Sequence, residues 1–174
     1  MDRAGTLSRF VVDPDASRVW IEGSSSVHPI HASASGLVGW VELSRSGDGT
    51  AEDTVLGGEI RIAVDRLQSG NALVDRETRR RIDARHHPEI IGTVTAAERI
   101  GNDRLAVSGE ISFRGQVCSV SGQIVVTSEG EGLVIEGDQT FDVRDWGLQP
   151  PRVALLRVHP DVLVGIHVFA APAP

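Results

Sequence analysis

The chain has few of the residues that mark several classes of protein. Cys118 is its only cysteine, so no intramolecular disulfide forms and no disulfide framework of a secreted protein is expected. Aromatic residues make up only 4% and tyrosine is absent, so valine, isoleucine, leucine and alanine must build the interior. Residues 1–8 lack the apolar core of a secretory leader, and no apolar run approaches the length of a membrane span. These absences predict a cytoplasmic protein.

Positive charge is also scarce. The 174 residues include 17 basic residues against 24 acidic ones, which gives a formal net charge of −7. Nucleic acids and anionic membranes are bound through clustered basic residues, so this balance argues against either partner and against stable membrane insertion. With 40% hydrophobic and 24% charged residues, the composition is typical of one globular domain over residues 1–174, with residues 1–8 as a flexible N-terminus.

Apolar and polar residues alternate with a period of two through most of the chain. The segments that place their apolar side chains on one face in this way are residues 59–64, 104–113, 117–126, 133–141 and 162–169. Turn-forming glycine, asparagine and aspartate residues separate them. Many short strands at this spacing predict an all-β barrel or sandwich that is mainly antiparallel.

The first two apolar runs are short and flank a turn signal. Residues 10–12 and 19–21 lie on either side of Asp13-Pro14. Pro14 fixes its own φ and keeps Asp13 out of the helical region, while the aspartate side chain can close a local turn. This arrangement predicts a hairpin-like start to the sheet.

Two segments depart from the strand pattern. Residues 74–87 are rich in arginine, glutamate and alanine and stop before Pro88, which predicts a short helix with Asp75 as its N-cap. Its apolar content is thin, so we expect the helix to lie over one end of the sheet. Residues 144–148 form the second irregular segment, and its Trp146 is interpreted as a plug or cap.

Two histidine pairs and the cysteine are the candidates for catalysis or metal binding: His28, His31, His86, His87 and Cys118. In an extended strand, residues three apart point to opposite faces, so the first pair would not share a metal ion. No Gly-x-Ser-x-Gly elbow, HExxH or CxxC motif occurs. The sequence therefore predicts no catalytic residue, metal or cofactor, and an enzyme that uses these side chains is the less favoured alternative.

A closed sheet of about eight strands has room for its own side chains or for one small ligand. With small and branched residues in place of aromatic ones, the interior could stay open to a long apolar chain, at about 0.8 kcal/mol for each buried methylene. The alternative is that the same residues fill the core. The protein would then be a structural or interaction barrel without a ligand.

Four stretches, in this order and spacing, resemble a known family. They are Val12-Asp-Pro14 with Ser17, Val19 and Ile21; Val64-Asp-Arg-Leu-Gln-Ser-Gly-Asn71 followed by Asp75 and Pro88; Val107-Ser-Gly-Glu-Ile-Ser-Phe-Arg-Gly115 followed by Val120; and Arg144-Asp-Trp-Gly-Leu148. The family is the YceI-like one, lipocalin-like proteins described as polyisoprenoid-binding. The resemblance implies an eight-stranded antiparallel barrel with a short helix near one end, holding an isoprenoid or similar long apolar amphiphile. Gly92 stands where the family usually has phenylalanine.

The implied ligand site follows from which strand residues point inward. The residues expected to form its wall are Ile21, Ile60, Ile62, Leu105, Val107, Ile111, Phe113, Ile124, Ile166 and Val168. The candidates for its mouth, from the two irregular segments, are Leu73, Ile82 and Trp146. The candidates for holding a polar head group are Arg76, Arg144 and His28. The sequence does not decide whether a homodimer forms through an exposed strand edge.

Overall fold

The computed structural model describes residues 6–45, 54–150, 152–153 and 155–174. The strands in these ranges are β1 (Thr6–Val12), β2 (Arg18–Ser24), β3 (Pro29–Ser35), β4 (Val38–Arg45), β5 (Thr54–Ala63), β6 (Glu89–Arg99), β7 (Arg104–Phe113), β8 (Gln116–Glu129), β9 (Gly132–Asp142), β10 (Arg152–Val153), β11 (Leu156–Arg157) and β12 (Asp161–Pro172). The helix is α1 (Ala72–Ile82), and two 3₁₀ turns span Val64–Arg66 and Val143–Trp146. Thr6, which falls in the predicted flexible N-terminus, already belongs to β1.

The strands close into a barrel. Neighbours follow the order β1-β4-β5-β6-β7-β8-β9-β12, and β12 pairs back with β1. Strand β2 continues β1 along the same edge of β12, and β3 runs beside β2 before the chain continues into β4 beside β1. All of these pairs are antiparallel. The result is the closed eight-stranded antiparallel barrel with one short helix that the sequence predicted.

The predicted hairpin at the start of the sheet is wrong. Strands β1 and β2 both pair with β12, so they are two halves of one bent strand. The Asp13 carboxylate accepts from the backbone N–H groups of Asp15 and Ala16, over 2.9 and 3.3 Å, and this turn forms the connection between the two strands. The buried Ser17 hydroxyl then accepts from the backbone N–H of Phe169 over 3.0 Å, which returns the chain to β12.

The predicted helix limits also need correction. Asn71, not Asp75, is the N-cap, because its side chain accepts from the backbone N–H groups two and three residues further on, over 3.0 and 3.2 Å. Asp75 instead accepts from the backbone N–H of Ser69 over 3.0 Å and holds the preceding loop. The helix ends before Asp83, which has a left-handed backbone with φ 60°, rather than running on to Pro88.

The chain connections divide between the two barrel ends. One end, which we call the helix end, carries the connections 25–28, 64–88, 114–115 and 143–160, and therefore α1 and both 3₁₀ turns. The half of the interior away from it is tightly packed. Its fully buried side chains include Phe10, Leu37, Leu43, Leu105, Leu133 and Val168. Within the described residues, no helix has the length and apolar character needed to cross a membrane.

Candidate ligand-binding lumen

Inward-facing side chains near the helix end keep part of their surface accessible. Ile60 pairs with Gly92, Gly92 with Ile111, and Ile111 with Cys118, so these four residues point to the same, inner side of the barrel. All four are only half-buried, whereas the inward-facing Leu105 further along β7 is 1% exposed. A residue that points into a closed barrel and keeps accessible surface borders an open space. We call this space the lumen.

Gly92 gives independent evidence for the lumen. A Cβ atom built at Gly92 would have no heavy atom within 4 Å. The same construction at Gly109, which also lies on an inward-facing register, would bring Cβ to 1.9 Å from the carbonyl oxygen of Thr93, beside the β-bulge in β6. The wall is therefore closed against its neighbour strand at Gly109 and faces open space at Gly92.

One polar side chain lies on the inner face among these apolar residues. Gln139 pairs with Val164 and is therefore on the inner face of β9, yet its side chain is exposed. A Cβ atom built at the inward-facing Gly122 would lie 3.2 Å from the Gln139 Oε1 atom. No other described residue hydrogen-bonds to this amide. The alternation pattern alone does not single out Gln139, because one polar residue in a strand is typical of a solvent-facing position.

Trp146 covers the β7–β9 side of the helix end. It is 4% exposed, and its Nε1–H donates to the carbonyl oxygen of Ile111 over 3.0 Å. Its ring makes edge contacts with Phe113 and Phe141, at centroid distances of 6.4 and 5.9 Å. The indole is therefore fixed by one hydrogen bond and two aromatic edges, as expected for a cap.

Helix α1 covers the other side, and Arg114 ties the two covers together. Ile82 packs with Val64 and Leu148 in a second apolar cluster. Arg114 Nε donates to the carbonyl oxygen of Arg81 over 2.9 Å, at the last turn of α1. Its Nη1 donates to the carbonyl oxygen of Gly147 over 2.7 Å, just after the second 3₁₀ turn. No sequence pattern predicts this clamp, because its partners are backbone carbonyl groups.

The structure divides the predicted wall and mouth residues into groups. Those that face inward and are half-buried are Ile21, Ile60, Ile62, Val107, Ile111, Phe113, Ile124 and Ile166. Leu105 and Val168 also face inward but are fully buried in the packed half. Of the mouth candidates, Ile82 and Trp146 are buried under the covers, whereas Leu73 is 54% exposed on the outer side of α1.

The predicted head-group residues all lie at the surface of the helix end. Arg76 is exposed on α1. The Arg144 guanidinium pairs with the Asp142 carboxylate over 2.7 Å, and its hydrogen bonds lower the pKa of Asp142. His28 is exposed in the turn between β2 and β3, where its Nδ1 lies 2.8 Å from the carbonyl oxygen of Pro29. None of these three is as well placed for a lumen ligand as Gln139.

The candidate catalytic side chains do not converge. Within the described residues, no hydrogen bond joins any two of His28, His31, His86 and Cys118, and no group of three potential ligands is arranged to hold a metal ion. His86 is engaged with the Asp83 carboxylate over 2.8 Å, which lowers the pKa of Asp83. The Cys118 thiol donates to the carbonyl oxygen of Asp145 over 3.4 Å. Among the described residues, these candidate side chains form no nucleophile–base pair.

A groove of about 600 Å³ lies at the edge of β3, where the Ser33–Gln68 bridge joins β3 to the segment after β5. Eight of its twelve lining residues are polar, among them Arg18, Glu22 and Asp65. Such a lining suits a polar ligand or water better than a long apolar chain, so the lumen is the better candidate site.

Comparison with known proteins identifies the family. A family model described as the YceI-like domain matches residues 10–170. The chain belongs to the YceI-like family. No significant match to this YceI-like chain is found among curated proteins.

Solved structures share the fold of this YceI-like chain at low sequence identity. Burkholderia cenocepacia BcnA is 15% identical with a TM-score of 0.77, over 92% of this chain and 99% of that one. A polyisoprenoid binding domain from Saccharophagus degradans, implicated in plant cell wall breakdown, is 15% identical with a TM-score of 0.74, over 97% and 100%. The Campylobacter jejuni YceI protein is 12% identical with a TM-score of 0.61, over 77% and 80%.

Proposed function

We propose that this YceI-like chain binds a long apolar amphiphile of the isoprenoid class in its lumen and catalyses no reaction. The observation that carries the proposal is that the apolar inner wall around Gly92 is accessible. In a barrel whose core is filled by its own side chains, this wall would be buried. Binding of this kind would serve to sequester or to transport the lipid.

The class of ligand follows from the chemistry of the wall. Most of its side chains are aliphatic and none carries a charge, so they offer mainly burial rather than directional bonds. Each methylene transferred from water to such a wall contributes about 0.8 kcal/mol, and a long chain accumulates many such contributions. The Saccharophagus degradans domain described as polyisoprenoid-binding supports this class of ligand.

The proposed binding wall contains fewer residues than the sequence predicted. It consists of the half-buried inward-facing residues around Ile60, Val107 and Ile111, without the fully buried Leu105 and Val168. Gln139 is the proposed partner of the polar head group, because its amide can both donate and accept within an apolar surface. Trp146 and α1 would cover the bound chain.

Uptake of a fluorescent isoprenoid analogue tests the proposal, with Val107→Phe as the blocking variant. The added ring would occupy the lumen, and we expect apparent affinity to fall roughly tenfold or more while the thermal midpoint changes little. Val117→Phe is the matched control, because Val117 is 60% exposed on the outer face of β8. Equal uptake by wild type and Val107→Phe would contradict the proposed site. No uptake by wild type would favour a filled structural barrel.

A further inference from the structure

The charges of the chain are divided unequally between the connections of the helix end and the rest of the sequence. The four connections of the helix end contain ten of the 17 arginines and five of the 24 acidic residues, a net charge of +5. The remainder of the chain carries seven arginines and nineteen acidic residues, a net charge of −12. The overall charge of −7 thus conceals a set of basic connections, because the topology brings arginines from distant parts of the sequence to one end of the barrel.

Several of these arginines are not neutralised within the fold. Among the described residues, Arg76, Arg152 and Arg157 are exposed and have no ion pair. Other arginines are matched locally, as Arg9 is with Glu42 over 3.3 Å and Arg80 with Glu77 over 2.6 Å. The charge of these three exposed arginines is therefore available to a partner.

The short hairpin of β10 and β11 brings two of these exposed arginines together. Arg152 and Arg157 are directly paired across the two strands, an arrangement of like charges that is unfavourable unless an anion lies nearby. Leu155, in the turn between them, is 93% exposed. A hairpin with an apolar residue at its tip and an arginine on each side matches the boundary between phosphate groups and acyl chains.

The turn between β2 and β3 extends the same surface. Ser26 fixes the two turns together: its backbone N–H donates to the Arg157 carbonyl oxygen over 2.9 Å, and its hydroxyl donates to that of Leu155 over 3.2 Å. The next residue, Val27, is 70% exposed. We call the surface formed by Val27, Arg152, Leu155 and Arg157 the docking tip.

We propose that the docking tip places the helix end of the barrel on an anionic lipid bilayer, with Val27 and Leu155 entering the interface and the arginines contacting lipid phosphates. The charge of the tip is complementary to such a surface. Docking in this orientation directs the covered end of the lumen at the membrane from which a lipid would enter or leave. The inference rests on the proposed lipid binding for its purpose, but it is tested without any lumen ligand.

Co-sedimentation with vesicles tests the charge requirement. With vesicles of equal parts phosphatidylglycerol and phosphatidylcholine at low salt, we expect the wild type to bind, and with phosphatidylcholine alone not to bind. Arg152→Gln/Arg157→Gln should weaken binding about 30-fold. Arg9→Gln/Arg104→Gln removes the same charge elsewhere and should change binding by no more than about two-fold. Absence of binding by the wild type, or equal losses in both double variants, would overturn the proposal.

Tryptophan emission tests the orientation. Leu155→Trp should shift to shorter wavelength when the anionic vesicles are added, whereas Ile100→Trp, at the opposite end and 47% exposed in the wild type, should not. A shift at position 100 alone would overturn the proposed orientation. Binding to an acidic polypeptide with none to vesicles would overturn the membrane proposal in favour of a protein partner. Failure of isoprenoid uptake with intact vesicle binding would remove the proposed lumen function and leave docking in place.

Discussion

Arg114 and Gly147, 33 residues apart, are joined by a hydrogen bond of 2.7 Å from the guanidinium Nη1 to the carbonyl oxygen. The same guanidinium reaches the carbonyl oxygen of Arg81 over 2.9 Å. One side chain in a β-turn thus holds both segments that cover the lumen. The cover is held by hydrogen bonds to backbone groups and by the burial of Trp146 and Ile82.

Arg114→Asn tests this clamp. Asparagine tolerates the left-handed backbone of position 114, where φ is 57°, so the turn is kept while the guanidinium is lost. We expect the free energy of unfolding to fall by about 1–3 kcal/mol, with faster amide exchange in α1. Arg85→Asn, at an exposed arginine without an ion pair among the described residues, should cost less than about 0.5 kcal/mol. Equal stability of the two variants in urea unfolding would contradict the clamp.

Two inward-facing glycines should respond oppositely to the same substitution. Gly92→Leu places its side chain in open space, so the thermal midpoint should stay unchanged or rise while isoprenoid uptake falls roughly tenfold. Gly109→Leu would force Cβ against the Thr93 carbonyl oxygen, so we expect a loss of about 3 kcal/mol or more. Thermal unfolding followed by circular dichroism makes the comparison. A destabilised Gly92→Leu variant would mean that the interior is filled at that point.

Gln139→Leu tests the proposed head-group contact. The change removes the amide from the lumen and extends its apolar wall, so affinity should fall for an isoprenoid alcohol and rise or hold for the corresponding hydrocarbon. Gln123→Leu is the matched control, since Gln123 lies on the outer face of β8, where it accepts from Arg104 over 3.3 Å. Parallel changes for both ligands, measured by competition with a fluorescent analogue, would exclude a head-group role for Gln139.

Glu77 should make the cover sensitive to acid. Hydrogen bonds from Arg80 and then Arg81 lower the pKa of Glu77 to about 2. A carboxyl group whose folded-state pKa is depressed stabilises the fold above its unfolded pKa, and this contribution disappears as pH falls from about 4.5 to about 2. The thermal midpoint of the wild type should therefore fall more steeply over that range than that of Glu77→Gln. Glu110→Gln, at an exposed glutamate of β7, should keep the wild-type slope; identical slopes in all three proteins would contradict the assignment.

Much of the fold could be predicted from the sequence, because the alternation of apolar and polar residues indicates which face of each strand is buried. The segment 104–113 was predicted from its inward-facing leucine, valine, isoleucine and phenylalanine, and it is β7. Turn and N-cap predictions from neighbouring residues were wrong where a contact with a residue outside the local segment determines the structure. The hairpin at Asp13-Pro14 was wrong because Ser17 is bonded to Phe169, far away in β12. Asp75 was mistaken for the N-cap because Ser69, its real partner, precedes the helix by a loop.

The candidate site was less predictable than the fold. Inward orientation of Val107 and Ile111 follows from the strand period, but whether the space in front of them is filled depends on every facing strand. Gly92 in particular could not be interpreted from the sequence, because a strand glycine marks either a close approach or an opening. The basic helix end was hidden for a related reason, since net charge says nothing about which connections share one end of the barrel.

The proposed function requires a long apolar lipid in the lumen. Native mass spectrometry of the full chain isolated from its own cells, followed by solvent extraction and analysis of the extracted lipid, examines this requirement. We expect near-stoichiometric added mass that extracts as an isoprenoid, and a much smaller load on Gly92→Leu prepared in the same way. A chain that carries no added mass and takes up no added prenyl lipid would contradict the claim and indicate a filled barrel.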